Sequence, residues 1–379
     1  MRLLDMAHRF SFEQLIEAVR APTQLTRLSL SDWEVLLFVL KTARLEAYLA
    51  FVLHDSDTWD EIPAQVRAHF SAAMVYAQRQ NDQVFHEGQE IHELLMAQGV
   101  VPVFLKGAAY IIAATKNANG RLCSDIDLLV KEDVLAVSEA TLLNNFWYHK
   151  SITDYDDKYY REYAHEIPPL YHLTRGTVLD LHHNLFLPVS GKAPPLEQFW
   201  EGVVLQESGR YTLEPAAMFM HSIIHLMLNE EVVHGFRDMV DLKCLAEQFN
   251  NEPFWQRVEQ LAIESHFETE LTVVLTLLNT WFDGNYPVLQ PVGRSQRTKL
   301  KWLTRIYKYA LIPDHPALHS VRSGVARFMV FVRGHSIKMP FTVLVKHFSI
   351  KLWLGFRNWL RGDATADSKP VDLGAAFKR

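Results

Sequence analysis

Two aspartates, Asp125 and Asp127, stand inside an otherwise apolar segment, SDIDLLV (124–130), which has the composition of a buried β-strand. Successive side chains of a strand point to opposite faces, so these two carboxylates share one face, with Cα atoms roughly 6.6 Å apart. A carboxylate taken out of water must be paired or bound to a metal. The pair can therefore converge on one or two cations, and Mg²⁺ or Mn²⁺ prefers such oxygen ligands.

A third carboxylate is expected on a second strand. The segment TVLDLHHNL (177–185) predicts a strand in which Asp180 and His182 lie on one face and two leucines on the other. We predict that Asp125, Asp127 and Asp180 are metal ligands and catalytic groups for phosphoryl or nucleotidyl transfer. His182 either orients Asp180 or contacts the nucleotide, or it is a hydrogen-bonded structural histidine.

A lysine and a glycine lie between a predicted strand, VVPVFLKG (100–107), and a short helix, AAYIIAAT. The free backbone N–H groups that begin a helix favour an anion such as a triphosphate, and Gly107 allows its close approach. Lys106 is the candidate phosphate contact. Arg121, four residues before Asp125, is placed to touch the same phosphates or the acceptor. A solvated surface charge is the alternative for both cations.

The flanking segments have helical spacing of apolar residues, from about residue 12 to 98 and again beyond residue 215. Short β-rich runs alternate with turns and short helices between them. This pattern predicts an α+β fold with a small mixed-sheet core flanked by N- and C-terminal helical domains. The predicted boundaries are 1–98 for the first helical domain, 99–200 for the α/β core, 201–361 for the second helical domain and 362–379 for a disordered tail.

Charge and cysteine content restrict the class of protein. The 379 residues are 49% hydrophobic and carry a net charge of −6, which gives no reason to expect stable DNA binding. The two cysteines have the spacing of neither a disulfide framework nor a zinc site. The sequence has no signal-peptide core and no run of roughly 18 apolar residues. These features predict a cytoplasmic protein.

The C-terminal third is basic. From Gly284 to Gly362 there are fourteen lysines and arginines against one acid, Asp314. Residues 340–362 predict a basic amphipathic helix. Such a helix either docks on the body of the protein or lies on an acidic partner or an anionic membrane, which would place the chain peripherally at the inner membrane face.

The order of these elements resembles the DNA polymerase β nucleotidyltransferase superfamily. The motifs LKGAAY, RLCSDIDLLV and VLDLHHNL more closely resemble an uncharacterised bacterial nucleotidyltransferase family with Lys-Gly at the turn, Arg before the Asp pair and an Asp-Leu-His signature. The resemblance implies a Mg²⁺-dependent transfer of an NMP group from an NTP to an unidentified small molecule, protein or RNA, with release of pyrophosphate. It implies a nucleotide-binding set of Lys106, Gly107, Arg121, Ser124, His182 and Arg237.

One departure from the superfamily leaves other functions open. The superfamily often has a phosphate-binding serine after the glycine, whereas Ala108 follows Gly107 here, so that Lys106 is the expected substitute. The missing hydroxyl is also compatible with a nucleotide-binding or scaffold protein that has lost turnover. A toxin–antitoxin component that modifies tRNA or a partner protein is a third hypothesis, favoured by the basic C-terminal third.

Two further pairs have helical spacing. His221 and His225 are four residues apart, as metal ligands often are, but without a third ligand we expect satisfied histidines that line the nucleotide cleft. Arg237 and Asp241 are also four apart and match a similar pair in the resembled family. They form either an ordinary helical ion pair or a contact to the acceptor or base.

Overall fold

The protein is described here from a computed structural model that covers residues 10–290 and 293–338. The basic helix predicted at 340–362 and the tail predicted at 362–379 lie outside these residues. Helices α1 to α4 precede the sheet, at Phe12–Arg20, Leu30–Thr42, Glu46–His54 and Ala64–Met96. Ser11 caps α1 in a capping box with Gln14. Short 3₁₀ turns lie at Pro22–Arg27, Trp59–Glu61, Lys116–Ala118, Glu132–Val134 and Pro188–Ser190.

The central element is a seven-stranded mixed sheet. Its strands are β1 (Val103–Leu105), β2 (Ile126–Leu129), β3 (Trp147–His149), β4 (Leu170–His172), β5 (Val178–His182), β6 (Val203–Leu205) and β7 (Tyr211–Leu213). Their order across the sheet is β3-β4-β5-β2-β1-β7-β6. The pairs β2/β5 and β1/β7 are parallel and the others antiparallel. The predicted α+β fold class is confirmed.

Short helices separate the strands, and longer ones follow the sheet. The first group is α5 (Lys106–Ile112), α6 (Leu135–Leu143), α7 (Asp154–Tyr163) and α8 (Leu196–Glu201). The second group is α9 (Pro215–Leu228), α10 (Gly235–Gln248), α11 (Glu252–Glu264), α12 (Glu268–Phe282), α13 (Arg294–Ala310) and α14 (Val321–Lys338). Within the described residues, no helix is both long and apolar enough to cross a membrane.

The sheet has one apolar face and one polar face at its centre. Phe104 pairs with Leu128, and Leu128 pairs with Leu181, so these three fully buried side chains share a face. Helix α4 packs there, where its Gly88 lets the Phe104 ring approach. The opposite face carries the acidic residues of β2 and β5. The alternation of apolar and acidic residues therefore points the carboxylates away from the α4 layer.

The helical parts share one core with the sheet. Phe12 of α1 packs edge to face against Phe236 of α10 and Trp281 of α12, with ring centroids 5.3 Å apart in both pairs. Strands β6 and β7 extend the sheet to Leu213, beyond the predicted end of the α/β core at residue 200. The reason is that β7 pairs with β1 and so completes the side of the sheet next to the predicted glycine turn.

Candidate functional site

Two of the predicted carboxylates lie side by side. Strands β2 and β5 run parallel in a register that pairs Asp127 with Asp180. Paired residues on adjacent strands point to the same face, so both carboxyl groups lie on the polar face of the sheet. Asp125 lies just before β2, two residues from Asp127. Burial, together with the charge of Asp127, raises the pKa of Asp125.

Asp127 is held by a lysine and a histidine. Its Oδ1 accepts a hydrogen bond from Lys106 Nζ at 2.6 Å, and it lies 3.0 Å from His182 Nε2. Burial opposes the charged carboxylate, but Lys106 and His182 outweigh it and hold the pKa of Asp127 well below its ordinary value. Asp127 is therefore ionised and oriented before any ligand binds.

Lys106 adopts an uncommon backbone conformation at the strand-to-helix junction. Its φ of 47° lies in the left-handed region, which costs a residue with a side chain some strain. The side chain is directed to Asp127, so in this structure it neutralises a carboxylate and is not a solvated charge. The space beside Gly107 is taken by Cys123, whose Sγ would lie 2.5 Å from an added Cβ.

Asp180 is less well compensated than Asp127. Its Oδ1 is buried without a hydrogen-bond partner. Burial and then the charges of Glu166 and Asp127 raise the pKa of Asp180 well above its ordinary value. A partly buried carboxyl group with a free oxygen, beside a second carboxylate, offers oxygen donors of the kind that a hard divalent cation binds. The residues present therefore fit Mg²⁺ or Mn²⁺.

Arg121 points to α10 and forms a buried ion pair. Its Nε donates to Asp241 Oδ2 at 2.8 Å, and Asn117 Nδ2 donates to the other oxygen at 3.2 Å. Both charged side chains are about nine-tenths buried. Arg237 instead pairs with its neighbour Asp238 at 2.7 Å. Of the two alternatives for Arg237 and Asp241, the helical ion pair is not formed, because Arg121 occupies Asp241 and Arg237 pairs with Asp238.

The remaining predicted residues lie around this centre. Ser124 is exposed, and its hydroxyl donates to Asp125 Oδ1 at 3.0 Å. His221 and His225 lie on α9, where His221 is buried and His225 is partly buried. Burial, followed by the positive charge of Lys106, lowers the pKa of both, that of His225 to about 3. The lowered pKa values favour the neutral form of both histidines.

Sequence reasoning missed a cluster formed by His165, Glu166 and His182. One ligand atom from each lies within 4.8 Å of the other two. Among the other side chains that the structure describes, no three His, Cys, Asp or Glu residues are gathered as tightly, and the three aspartates are spaced more widely. The adjacent residues His165 and Glu166 do not by themselves have the spacing of a metal site. The third member, His182, lies sixteen residues after Glu166 on β5.

A separate surface cavity lies between α12 and α13. Its volume is about 780 Å³. It contains none of the predicted site residues and is lined in part by the cations Arg297, Lys301, Arg305 and Lys308. The polar face of the sheet therefore remains the place where the chemically competent groups meet.

The model of a family described as "Uncharacterised nucleotidyltransferase" matches residues 29–283. This stretch includes every predicted site residue, from Lys106 to Arg237. No curated protein and no solved structure matches the chain.

Proposed function

The chain belongs to the uncharacterised nucleotidyltransferase family, as its motifs predicted, and on this premise we propose that it moves an NMP group from an NTP to an acceptor hydroxyl. Asp125, Asp127 and Asp180 are the catalytic carboxylates. The observation that carries the proposal is the register of β2 and β5, with Asp127 beside Asp180 on the polar face and Lys106 at the adjoining turn.

Mg²⁺ or Mn²⁺ is the cofactor in this proposal. Asp125, Asp127 and Asp180 would hold it, and the unpartnered oxygen of Asp180 supports that assignment. When bound, such a cation neutralises phosphate charge and polarises the phosphorus that is attacked.

The chain's own groups then handle the proton and the phosphates. The acceptor oxygen forms a bond to the α-phosphorus, the bond from that phosphorus to the bridging oxygen breaks, and pyrophosphate leaves with the electron pair. Asp180 takes the acceptor's proton, a role that its raised pKa suits. Lys106 turns from Asp127 to the β or γ phosphate and so takes the place of the absent serine hydroxyl.

A second candidate is a nucleotide-binding protein without turnover. The observation that favours it is the pairing of Lys106 with Asp127, which occupies one carboxylate with a lysine. Ala108 also lacks the hydroxyl that would bind phosphate. A binder of this kind would retain NTP and release no pyrophosphate.

Pyrophosphate release separates the two candidates. The full chain is incubated with each NTP, Mg²⁺ or Mn²⁺ and a host lysate as the source of acceptor. We expect pyrophosphate with wild type and none with the Asp125→Ala, Asp127→Ala double variant. NTP binding by wild type with no pyrophosphate across a broad acceptor screen would favour the binder.

A further inference from the structure

The cluster of His165, Glu166 and His182 brings three lone-pair atoms together. Glu166 Oε2 lies 3.4 Å from His182 Nδ1 and 3.8 Å from His165 Nε2. Glu166 also forms an isolated β-bridge with His182, which holds its backbone beside β5. The three side chains come from two separate segments of the chain, which this bridge joins.

The hydrogen bonding of His182 determines which of its nitrogens is available. Its Nε2 lies 3.0 Å from Asp127 Oδ1, an ionised carboxylate that accepts the Nε2 proton. In the tautomer that donates Nε2–H to Asp127, the lone pair of the ring lies on Nδ1. That atom is buried without a hydrogen-bond partner, on a residue that is only 1% exposed. Nδ1 of His182 faces Glu166 Oε2 across 3.4 Å without a hydrogen bond between them, a separation at which one metal ion can contact both atoms.

We infer that His165, Glu166 and His182 form a binding site for a nitrogen-preferring divalent transition metal such as Zn²⁺ or Co²⁺. Two imidazoles and one carboxylate are a common ligand set for such ions. Asp127 supports His182 from behind, as carboxylates do for metal-bound histidines. The remaining coordination positions are open to water or a bound ligand.

This site differs in kind from the all-oxygen site proposed for Mg²⁺. Imidazole nitrogen binds Zn²⁺ or Co²⁺ in preference to Mg²⁺, which favours oxygen. The two sites touch through one side chain, because His182 contacts Asp127 with one nitrogen and offers the other to the metal. A metal at the nitrogen site would thus restrain the ring that orients a catalytic carboxylate.

Metal binding without nucleotide tests the inference independently of the proposed transfer. The full chain is dialysed against Co²⁺ in a large excess of Mg²⁺, and bound cobalt is measured together with its visible absorption. We expect one Co²⁺ per chain, displaced by Zn²⁺. Glu166→Gln and His165→Ala should each weaken Co²⁺ binding by at least about tenfold. Even residues that only hydrogen-bond to a metal ligand contribute that much to metal affinity.

His183 provides a matched control, since it follows His182 in the sequence but does not belong to the cluster. His183→Gln should bind Co²⁺ like wild type. Glu166→Gln keeps the size of the side chain, and its thermal unfolding without metal shows whether it is folded. No Co²⁺ on wild type, or equal loss of binding in His183→Gln and Glu166→Gln, would overturn the site. If the protein binds Co²⁺ but transfers no nucleotide, the metal site stands and only the proposed transfer fails.

Discussion

Neighbouring carboxylates on the polar face have opposite electrostatic environments. Asp127 is compensated by Lys106 and His182, and its pKa is held down. Asp180 has a free buried oxygen and three acidic neighbours, and burial and these charges raise its pKa. Groups whose pKa values are driven apart in this way suit different roles, one as a permanently charged ligand and one as a proton acceptor.

Asp180→Asn should stabilise the metal-free protein at neutral pH. The raised pKa means that ionising Asp180 costs folding free energy once the pH exceeds the unfolded value, near about 3.9. Because Asp180 keeps part of its surface in water, we expect a gain of about 1 kcal/mol at pH 7. Below about pH 4 the carboxyl is protonated in both states and the gain should vanish. Urea unfolding at both pH values measures it.

Asp133→Asn is the control for that measurement, since Asp133 is an exposed carboxylate on a nearby surface turn. It should leave stability unchanged at either pH. Transfer by Asp180→Asn should fall by about 100-fold or more, the range for a lost general base. Equal stability of wild type and Asp180→Asn at pH 7 without metal would show that the buried carboxyl is already compensated.

Lys106 combines a charge that we propose binds phosphate with a strained backbone conformation, and two substitutions test these features separately. Both Lys106→Ala and Lys106→Gly remove the ammonium group that neutralises Asp127, so both should lose NTP binding or transfer. Glycine tolerates a φ of 47° whereas alanine does not, so Lys106→Gly should be the more stable by roughly 1 kcal/mol. Thermal unfolding of the two variants measures the difference. If the alanine variant is as stable as the glycine variant, the backbone at Lys106 is not strained. If either variant transfers nucleotide at the wild-type rate, Lys106 does not bind phosphate.

At the scale of elements, the loop before β2 is tied to α10 by Arg121 and Asp241. Their ion pair is buried and shared with Asn117, so it orients the loop that leads to Asp125. The sequence suggested that Arg121 touches the phosphates or the acceptor, or is a solvated charge. The structure excludes the solvated charge, because the Arg121 side chain is buried against Asp241.

Removing both partners of this ion pair should lower the free energy of unfolding by less than the two single removals do together. Arg121→Ala or Asp241→Ala leaves an uncompensated buried charge, for which we expect a loss of about 3 kcal/mol. The double variant should lose less than the sum of the single losses. Denaturant unfolding of the four proteins gives the coupling directly. Additive losses would mean that the two side chains do not interact in solution.

Elements with clear periodicity, and the short strand β1 that leads into the predicted glycine turn, were predictable from the sequence, whereas several other short strands were not. Alternation identified β2 and β5 and the face that their aspartates share. Strands β4, β6 and β7 have three residues each, too few to show alternation. Glu166 was missed for a related reason, because its contact with His182 depends on tertiary pairing and not on spacing along the chain.

At the scale of the molecule, the N-terminal helices and those after the sheet share a core. Phe12 lies between Phe236 and Trp281, so the first helix packs on elements more than 200 residues away in the sequence. This arrangement predicts that the described part of the chain unfolds as one unit, even though helical segments flank the sheet on both sides.

Phe12→Ala should therefore destabilise α10 and α12 as well as α1. We expect a loss of about 2 kcal/mol, below the range for a fully buried phenylalanine because Phe12 is only partly buried. Hydrogen exchange should quicken in all three helices. Phe38→Ala, which removes a ring that is 53% exposed, is the control and should change little. Faster exchange confined to α1 would indicate a helix that opens separately.

The position of a radiolabel tests nucleotidyl transfer most directly. Wild type is incubated with Mg²⁺, host lysate and each NTP labelled on either the α or the γ phosphate, and products are separated from free nucleotide. We expect the α-label to be transferred to an acceptor and the γ-label to be released in pyrophosphate. The Asp125→Ala, Asp127→Ala double variant should show neither the transfer nor the release. Transfer of the γ-label, or equal α-label transfer by the double variant, would contradict it.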